Sequence, residues 1–255
     1  MLTSNNNTSS NKHKPSIDNN EVMLGVILAI LAGFLFVSSD TVVKLARQDL
    51  PVAMVVWGRF TAHFLLLLFL FPGRKINKFK VNNFKLVIFR GILLLLCTCL
   101  FFTAIGYIGL AEANSIMFIS PFFVVALSIP LLKEKVGIRR WSAVIIGFIG
   151  IVIILRPGFQ EIHWAYFLII GVAFFFALFT ILTRTLSFTE TAISMWFYTA
   201  LVGMVGSSAI VWYYWQTPTL SQSLMLLFIG AIGGGSHYIV IKAYQRASAS
   251  MLAPF

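Results

Sequence analysis

The chain is predicted to fold as an all-α, polytopic bundle of membrane-spanning helices, and three observations lead there. Apolar residues make up 59% of it and charged residues only 11%, whereas a water-soluble domain clothes its surface with about a quarter charged residues. Eight apolar runs lie between residues 24 and 246, each close to the roughly 20 residues a helix needs to cross a bilayer core of about 30 Å. Short loops rich in Lys and Arg alternate with loops that lack them, as expected of a chain threaded back and forth through a membrane. An unpaired backbone amide in lipid costs several kcal/mol, so such runs satisfy their own backbones as helices.

Residues 1–23, rich in Asn and Ser, cannot bury enough surface to fold alone and are expected to form a disordered cytoplasmic tail. The first span, 24–46, is too long for a cleaved signal peptide and lacks a small-residue cleavage site, so it is expected to remain as a signal anchor. Asp40 and Lys44 stand four apart on it, on one helical face, where carboxylate and ammonium can pair. They read either as a gate or proton-coupling carboxylate, or as an internal ion pair whose Lys44 snorkels to the interface. The second span, 52–71, repeats that spacing with Arg59 and His63, beside Trp57. An arginine inside a span costs at least about 2.5 kcal/mol, which turns Arg59 toward the bundle interior. There its planar fork suits an anionic or carbonyl group of a substrate and Trp57 can stack on a ring; the other reading is a structural anchor on Asp40 or on carbonyls. His63 reads as a packing residue or, because imidazole titrates near neutral pH, as a proton carrier.

The third span, 86–106, holds Cys97 and Cys99 two positions apart, roughly 200° apart around a helix, which points to packing rather than a disulfide or metal pair. Glu112 and Asn114 lie at the outer mouth of the fourth span, 114–132, where helix capping is expected. Pro121 within that span removes a backbone hydrogen bond and can kink it, as a hinge or a static bend. The fifth, 141–155, is short, but Trp141 and Arg156-Pro157-Gly158 bracket it. The sixth is 165–183. The seventh, 192–213, opens with Trp196, Phe197 and Tyr198, which line a cavity or simply pack, and ends in an aromatic belt, Trp212 to Trp215. In the eighth, 222–241, Gly233-Gly234-Gly235 precede His237 and Tyr238 and allow either close helix approach or the local unwinding found at transporter sites.

Sliding the chain by 140 positions brings Ala32-Gly33-Phe34 onto Val172-Ala173-Phe174, Lys44 onto Arg184 and Trp57 onto Phe197; an offset of 133 brings Ser120-Pro121-Phe122 onto Ala253-Pro254-Phe255. Two copies are thereby expected, 24–155 with five helices and 164–255 with three and the start of a fourth, in which Pro254 is the second hinge. An odd number of spans inverts the second copy, the arrangement of carriers that rock about a central site. At 1.5 Å per residue Phe255 would lie about 13 Å inside its span, so the chain is expected to be an incomplete product. A net charge of +11 suggests nucleic acid, but the basic residues sit in alternating short loops, which excludes that partner. Fourteen of the nineteen Lys and Arg fall on the N-terminal side of the membrane, which predicts a cytoplasmic N-terminus in the inner membrane. With no phosphate loop, zinc spacing or nucleophile–base set, neither an enzyme nor a cofactor is expected.

The ordered set Lys44, Trp57-Gly58-Arg59-Phe60, Ala111-Glu112-Ala113-Asn114, Ser120-Pro121, Leu132-Lys133-Glu134-Lys135 and Gly147-Phe148-Ile149-Gly150 resembles the EamA domain of the drug/metabolite transporter superfamily. That resemblance implies two inverted five-helix repeats. Ile193-Ser194-Met195-Trp196-Phe197-Tyr198 and Ser236-His237-Tyr238 through Ala249-Ser250-Met251 are similar to the branch of riboflavin and S-adenosylmethionine transporters. The expected function is secondary transport of a small, heteroaromatic or nucleoside-like metabolite by alternating access, with a proton or sodium ion as coupling partner, lipid as solvent and a homodimer as one assembly open to it. The alternative is a membrane protein that transports nothing, such as a nonfunctional product of a broken gene.

Overall fold

The computed structural model describes residues 19–70, 79–133, 136–155 and 163–252, and among them it is an all-helical membrane bundle. The helices are α1 (Asn19–Ala46), α2 (Val52–Leu70), α3 (Phe84–Ala104), α4 (Leu110–Met117), α5 (Ser120–Leu132), α6 (Ile138–Leu155), α7 (Ala165–Leu186), α8 (Ala192–Val211), α9 (Leu220–Arg246) and α10 (Ala249–Leu252). Seven segments among the described residues are long and apolar enough to cross a membrane, α4 and α5 together counting as one. The remaining apolar run forms the 18-residue helix α6. Pro254 and residues 1–18 of the expected tail lie outside the described residues.

Within that expected tail, α1 begins at Asn19. Glu21 meets the positive end of the helix dipole in its first turn and pairs with Arg246, at the end of α9, at 3.3 Å. Large apolar side chains such as Phe34, Phe69 and Phe167 face outward, the direction lipid occupies. The extensive packings are α1 on α9, α3 on α7, α2 on α9, α3 on α8 and α2 on α8. Each of the first three helices is therefore covered by helices beyond residue 165.

The fourth span is broken rather than kinked. Phe118 and Ile119 donate to the carbonyls of Ser115 and Ile116, a tighter turn that ends α4. Pro121 then falls in the first turn of α5, where a missing N–H leaves no gap in the ladder. The expectation that Pro121 bends a continuous helix is corrected by that position.

The Asp40–Lys44 pair expected from the spacing does not form. Lys44 Nζ instead donates to the carbonyls of Ile105 and Ile108 (the latter at 3.0 Å), just beyond the last turn of α3. Carbonyls at a helix end have no partner within the helix and attract cations. Arg184, which the 140-residue offset matches to Lys44, does the same for α9: its Nη1 donates to the Tyr244 carbonyl.

Helix α9 runs unbroken through its three glycines, so no unwinding occurs, and Gly233 and Gly234 serve close approach. A Cβ on Gly230 would press on Ala62 and come within 2.6 Å of the Arg59 carbonyl oxygen; one on Gly234 would strike the His63 ring, whereas Gly235 faces open space.

Two predictions follow from this packing. Gly230→Val should lower the thermal unfolding midpoint of detergent-purified protein, at an overpacking cost of about 1–3 kcal/mol, while Gly235→Ala leaves it in place. Lys44→Met should also destabilise, by about 1–3 kcal/mol for the unpaired carbonyls; a midpoint equal to that of the unmodified chain would show that these bonds do not hold the fold.

Candidate functional site

The interior of the bundle holds a cavity of about 210 Å³, walled by Asp40 of α1, Arg59 of α2, Cys97 and Phe102 of α3, Asn114 of α4, Phe176 of α7 and His237 of α9. It meets a second cavity of about 340 Å³, reaching toward α5 and α10, at Phe36, Asn114, Met117 and Phe176. Pro121 lines the second cavity. Apolar walls with a few convergent polar groups are the usual make-up of a small-molecule site.

Arg59 reaches this cavity because α9 presents no side chain at Gly233, whose missing Cβ would lie 3.4 Å from the guanidinium carbon. The arginine is buried, its charge 5.1 Å from the centre of the Phe102 ring. Its Nη2 stands 3.1 Å from His237 Nε2. A guanidinium only donates, so Nε2 accepts and the imidazole is the neutral tautomer with its proton on Nδ1. That Nδ1 is buried and has no hydrogen-bond partner among the described residues. Phe36 and Phe179 meet the His237 ring edge-on, at 4.8 and 5.8 Å between centroids. Asp40 shares the cavity wall, half-buried, and no direct ion pair joins it to Arg59 among the described residues.

The other residues singled out in the sequence fall into separate groups. His63 is buried beside Trp196, ring centroids 5.1 Å apart, and its Nε2 has no hydrogen-bond partner among the described residues. Trp196 donates to the Gly234 carbonyl at 2.7 Å and packs on Tyr238 at 5.1 Å. Tyr198 meets Phe84 edge-on at 5.6 Å. None of these four lines either cavity. Trp57, expected to stack on a substrate beside Arg59, instead donates to Ser208 Oγ at 3.1 Å and packs on Trp215, closing the end of the bundle where α2 begins. Two positions are enough to separate the two: Arg59 follows Trp57 by roughly 200° around the helix and so points to a different face.

At the opposite end, Glu190 accepts hydrogen bonds from the backbone amides of Asn82 (2.9 Å) and Asn83 (2.8 Å), ahead of α3. Phe197 packs there between Phe64 and Phe79. Among the interior polar residues not selected from sequence are Glu190, Asn114, read as a helix cap, and Arg90, which is fully buried. The insertion cost that marked Arg59 applies equally to Arg90 and was the signal available for it. Glu112 does cap α4, accepting from the Gly109 amide at 3.1 Å. Cys97 and Cys99 are free thiols.

Residues 23–156 match the EamA-like transporter family. The chain is 30% identical to the S-adenosylmethionine uptake transporter of Rickettsia bellii (strain RML369-C) over 179 residues, 70% of this chain and 62% of that protein. It thus spans less than two thirds of that relative's length. It is 28% identical to a pseudopaline exporter of Pseudomonas aeruginosa over 232 residues, 90% of this chain and 81% of that one. It is also 28% identical to the riboflavin transporter of Vibrio cholerae serotype O1 over 250 residues, 96% and 81% of the two chains. One solved crystal structure superposes with a TM-score of 0.72 at 17% identity, covering 92% of this chain and 83% of that one, a likeness of fold. This chain is a multi-pass membrane protein of the EamA-like transporter family.

Proposed function

We propose that the chain works as a secondary transporter of a small organic metabolite, and the observation that carries this reading is the buried Arg59–His237 pair opening onto the interior cavity. A cation held in place by a neutral imidazole keeps its charge available to an acceptor on the substrate, and the aromatic walls of Phe36, Phe102 and Phe176 suit a ring. The named activities of the relatives support a heteroaromatic or nucleoside-like compound such as S-adenosylmethionine or riboflavin. Their substrates differ, and so do their stated directions, one being an exporter.

Alternating access between two inverted repeats is supported by the pattern of packing. Exchanging α1 with α7, α2 with α8 and α3 with α9 turns the α1–α9 contact into α7–α3 and α2–α9 into α8–α3, and leaves α2–α8 as itself. Lys44 and Arg184 each serve the carbonyls at the end of the corresponding third helix. Closures stand at both ends of the α2–α8 contact, Trp57 with Ser208 and Trp215 at one and Phe197 with Phe64 and Phe79 at the other. A carrier of this kind opens one end at a time. Asp40 in the cavity wall suits a coupling proton or sodium ion, and the distribution of Lys and Arg supports a cytoplasmic N-terminus in the inner membrane.

Reconstituted protein should take up S-adenosylmethionine or riboflavin under an imposed pH gradient, and Arg59→Ala should reduce that uptake at least about tenfold, the equivalent of 1.4 kcal/mol, without lowering insertion. Unchanged uptake would remove Arg59 from the site. Absence of uptake of either compound by folded, unmodified protein would overturn the substrate reading.

A further inference from the structure

Arg90 is the second arginine sunk in the bundle, and among the described residues no acid pairs with it. Its Nε donates to Thr183 Oγ1 at 2.7 Å, and its Nη1 to Thr199 Oγ1 at 2.6 Å and to the Met195 carbonyl at 3.4 Å. Its Nη2 is buried without a partner among the described residues. The two carboxylates of the interior are engaged elsewhere: Glu190 by the amides of Asn82 and Asn83, Asp40 in the wall of the Arg59 cavity. Withdrawing a cation from water costs several kcal/mol even after the protein relaxes around it. A tie from α3 to two hydroxyls needs no charge at all, since a neutral amide side chain can donate to both. The surplus charge and the idle donor both call for an anion.

The position of Arg90 complements that of Arg59. Arg59 lies seven residues into α2, about 10 Å deep, and Arg90 six residues into α3, about 9 Å deep. Consecutive spans start at opposite faces, so the two arginines stand toward opposite ends of the bundle. Between them is one ring, Phe179. The Arg90 guanidinium lies 4.3 Å from its centre, and the same ring meets Phe176 and also His237, the partner of Arg59.

We propose that Arg90 is a second anion-binding residue, which takes a carboxylate or other anionic group of the substrate when the bundle opens toward the Glu190 end, as Arg59 does from the cavity. This rests on the reading of the chain as a carrier. The substrate class it selects is a small metabolite with at least one anionic group beside its ring, in preference to a neutral heteroaromatic compound.

The test keeps Arg90 and reports on its surroundings. Thr199→Cys is made in a Cys97→Ala, Cys99→Ala background, reconstituted in vesicles of known orientation. Membrane-impermeant methanethiosulfonates of opposite charge, one a sulfonate and one a trimethylammonium, are applied from the Glu190 face. The sulfonate should react at least about tenfold faster, as expected where a cationic cleft concentrates anions. Arg90→Gln should erase the preference and Arg90→Lys should retain it. A thiol unreactive from that face, or a preference indifferent to the charge at position 90, would overturn the proposal and leave Arg90 as a buried tie. If Arg90→Gln fails to fold, the preference with Arg90 in place and its retention in Arg90→Lys decide. The readout needs no substrate. An inactive carrier with a charge-selective thiol counts against the choice of metabolite alone, and active uptake with an unselective thiol counts against Arg90 alone.

Discussion

A charge carried into hydrocarbon has to find every partner inside the protein, and the interior of this bundle is arranged around two such charges. Arg59 is accommodated because α9 is stripped to glycine where the guanidinium passes, and because His237, four residues and about one turn beyond Gly233 on the same helix, accepts a hydrogen bond from it. Arg90 is accommodated because α7 and α8 each turn a threonine toward it. In lipid the apolar side chains gain little by leaving one environment for another of equal polarity, so these polar contacts and close backbone approach do much of what hydrophobic burial does in water.

The same economy governs the helix ends. Lys44, Arg184 and Glu112 each reach backbone groups that a helix terminus leaves unmatched, as Glu190 does for the amides ahead of α3. At the two ends of the α2–α8 contact the devices differ. One end is joined through a tryptophan N–H and a serine, the other through a carboxylate on two amides beside a cluster of phenylalanines. Charge-assisted hydrogen bonds are about twice as strong as neutral ones, so the individual hydrogen bonds at the Glu190 end are of the stronger kind.

Spans were legible in the sequence because a run of apolar residues is a local property: α2 was read as 52–71 and is Val52–Leu70, and α3 was read as 86–106 and is Phe84–Ala104. Arg59 was legible as an inward-facing charge for the same reason. Its partner was named only as a candidate, because the two are 178 positions apart. Lys44 was given Asp40 as partner since helical spacing tells which residues share a face and not what the face meets; the carbonyls it serves are 61 and 64 positions away. Pro121 illustrates a different limit. A proline inside an apolar run marks a disturbance of the helix, but whether that is a bend or a fresh start depends on the residues ahead of it, where Phe118 and Ile119 had already tightened the turn.

Packing α1 and α2 against α9 also fixes an order of events during synthesis. Ser39 reaches the Ile229 carbonyl across 190 positions of chain, so the surface of α1 that carries it lacks its α9 neighbour until residue 229 has been made. Until then α1 and α2 lack the α9 side of their packing and rely on earlier contacts, such as the Ile105 and Ile108 carbonyls that Lys44 reaches. The interval before α9 arrives is then the stage at which membrane chaperones and proteases meet an unfinished surface, and the speed of translation through residues 165–246 sets how long it lasts.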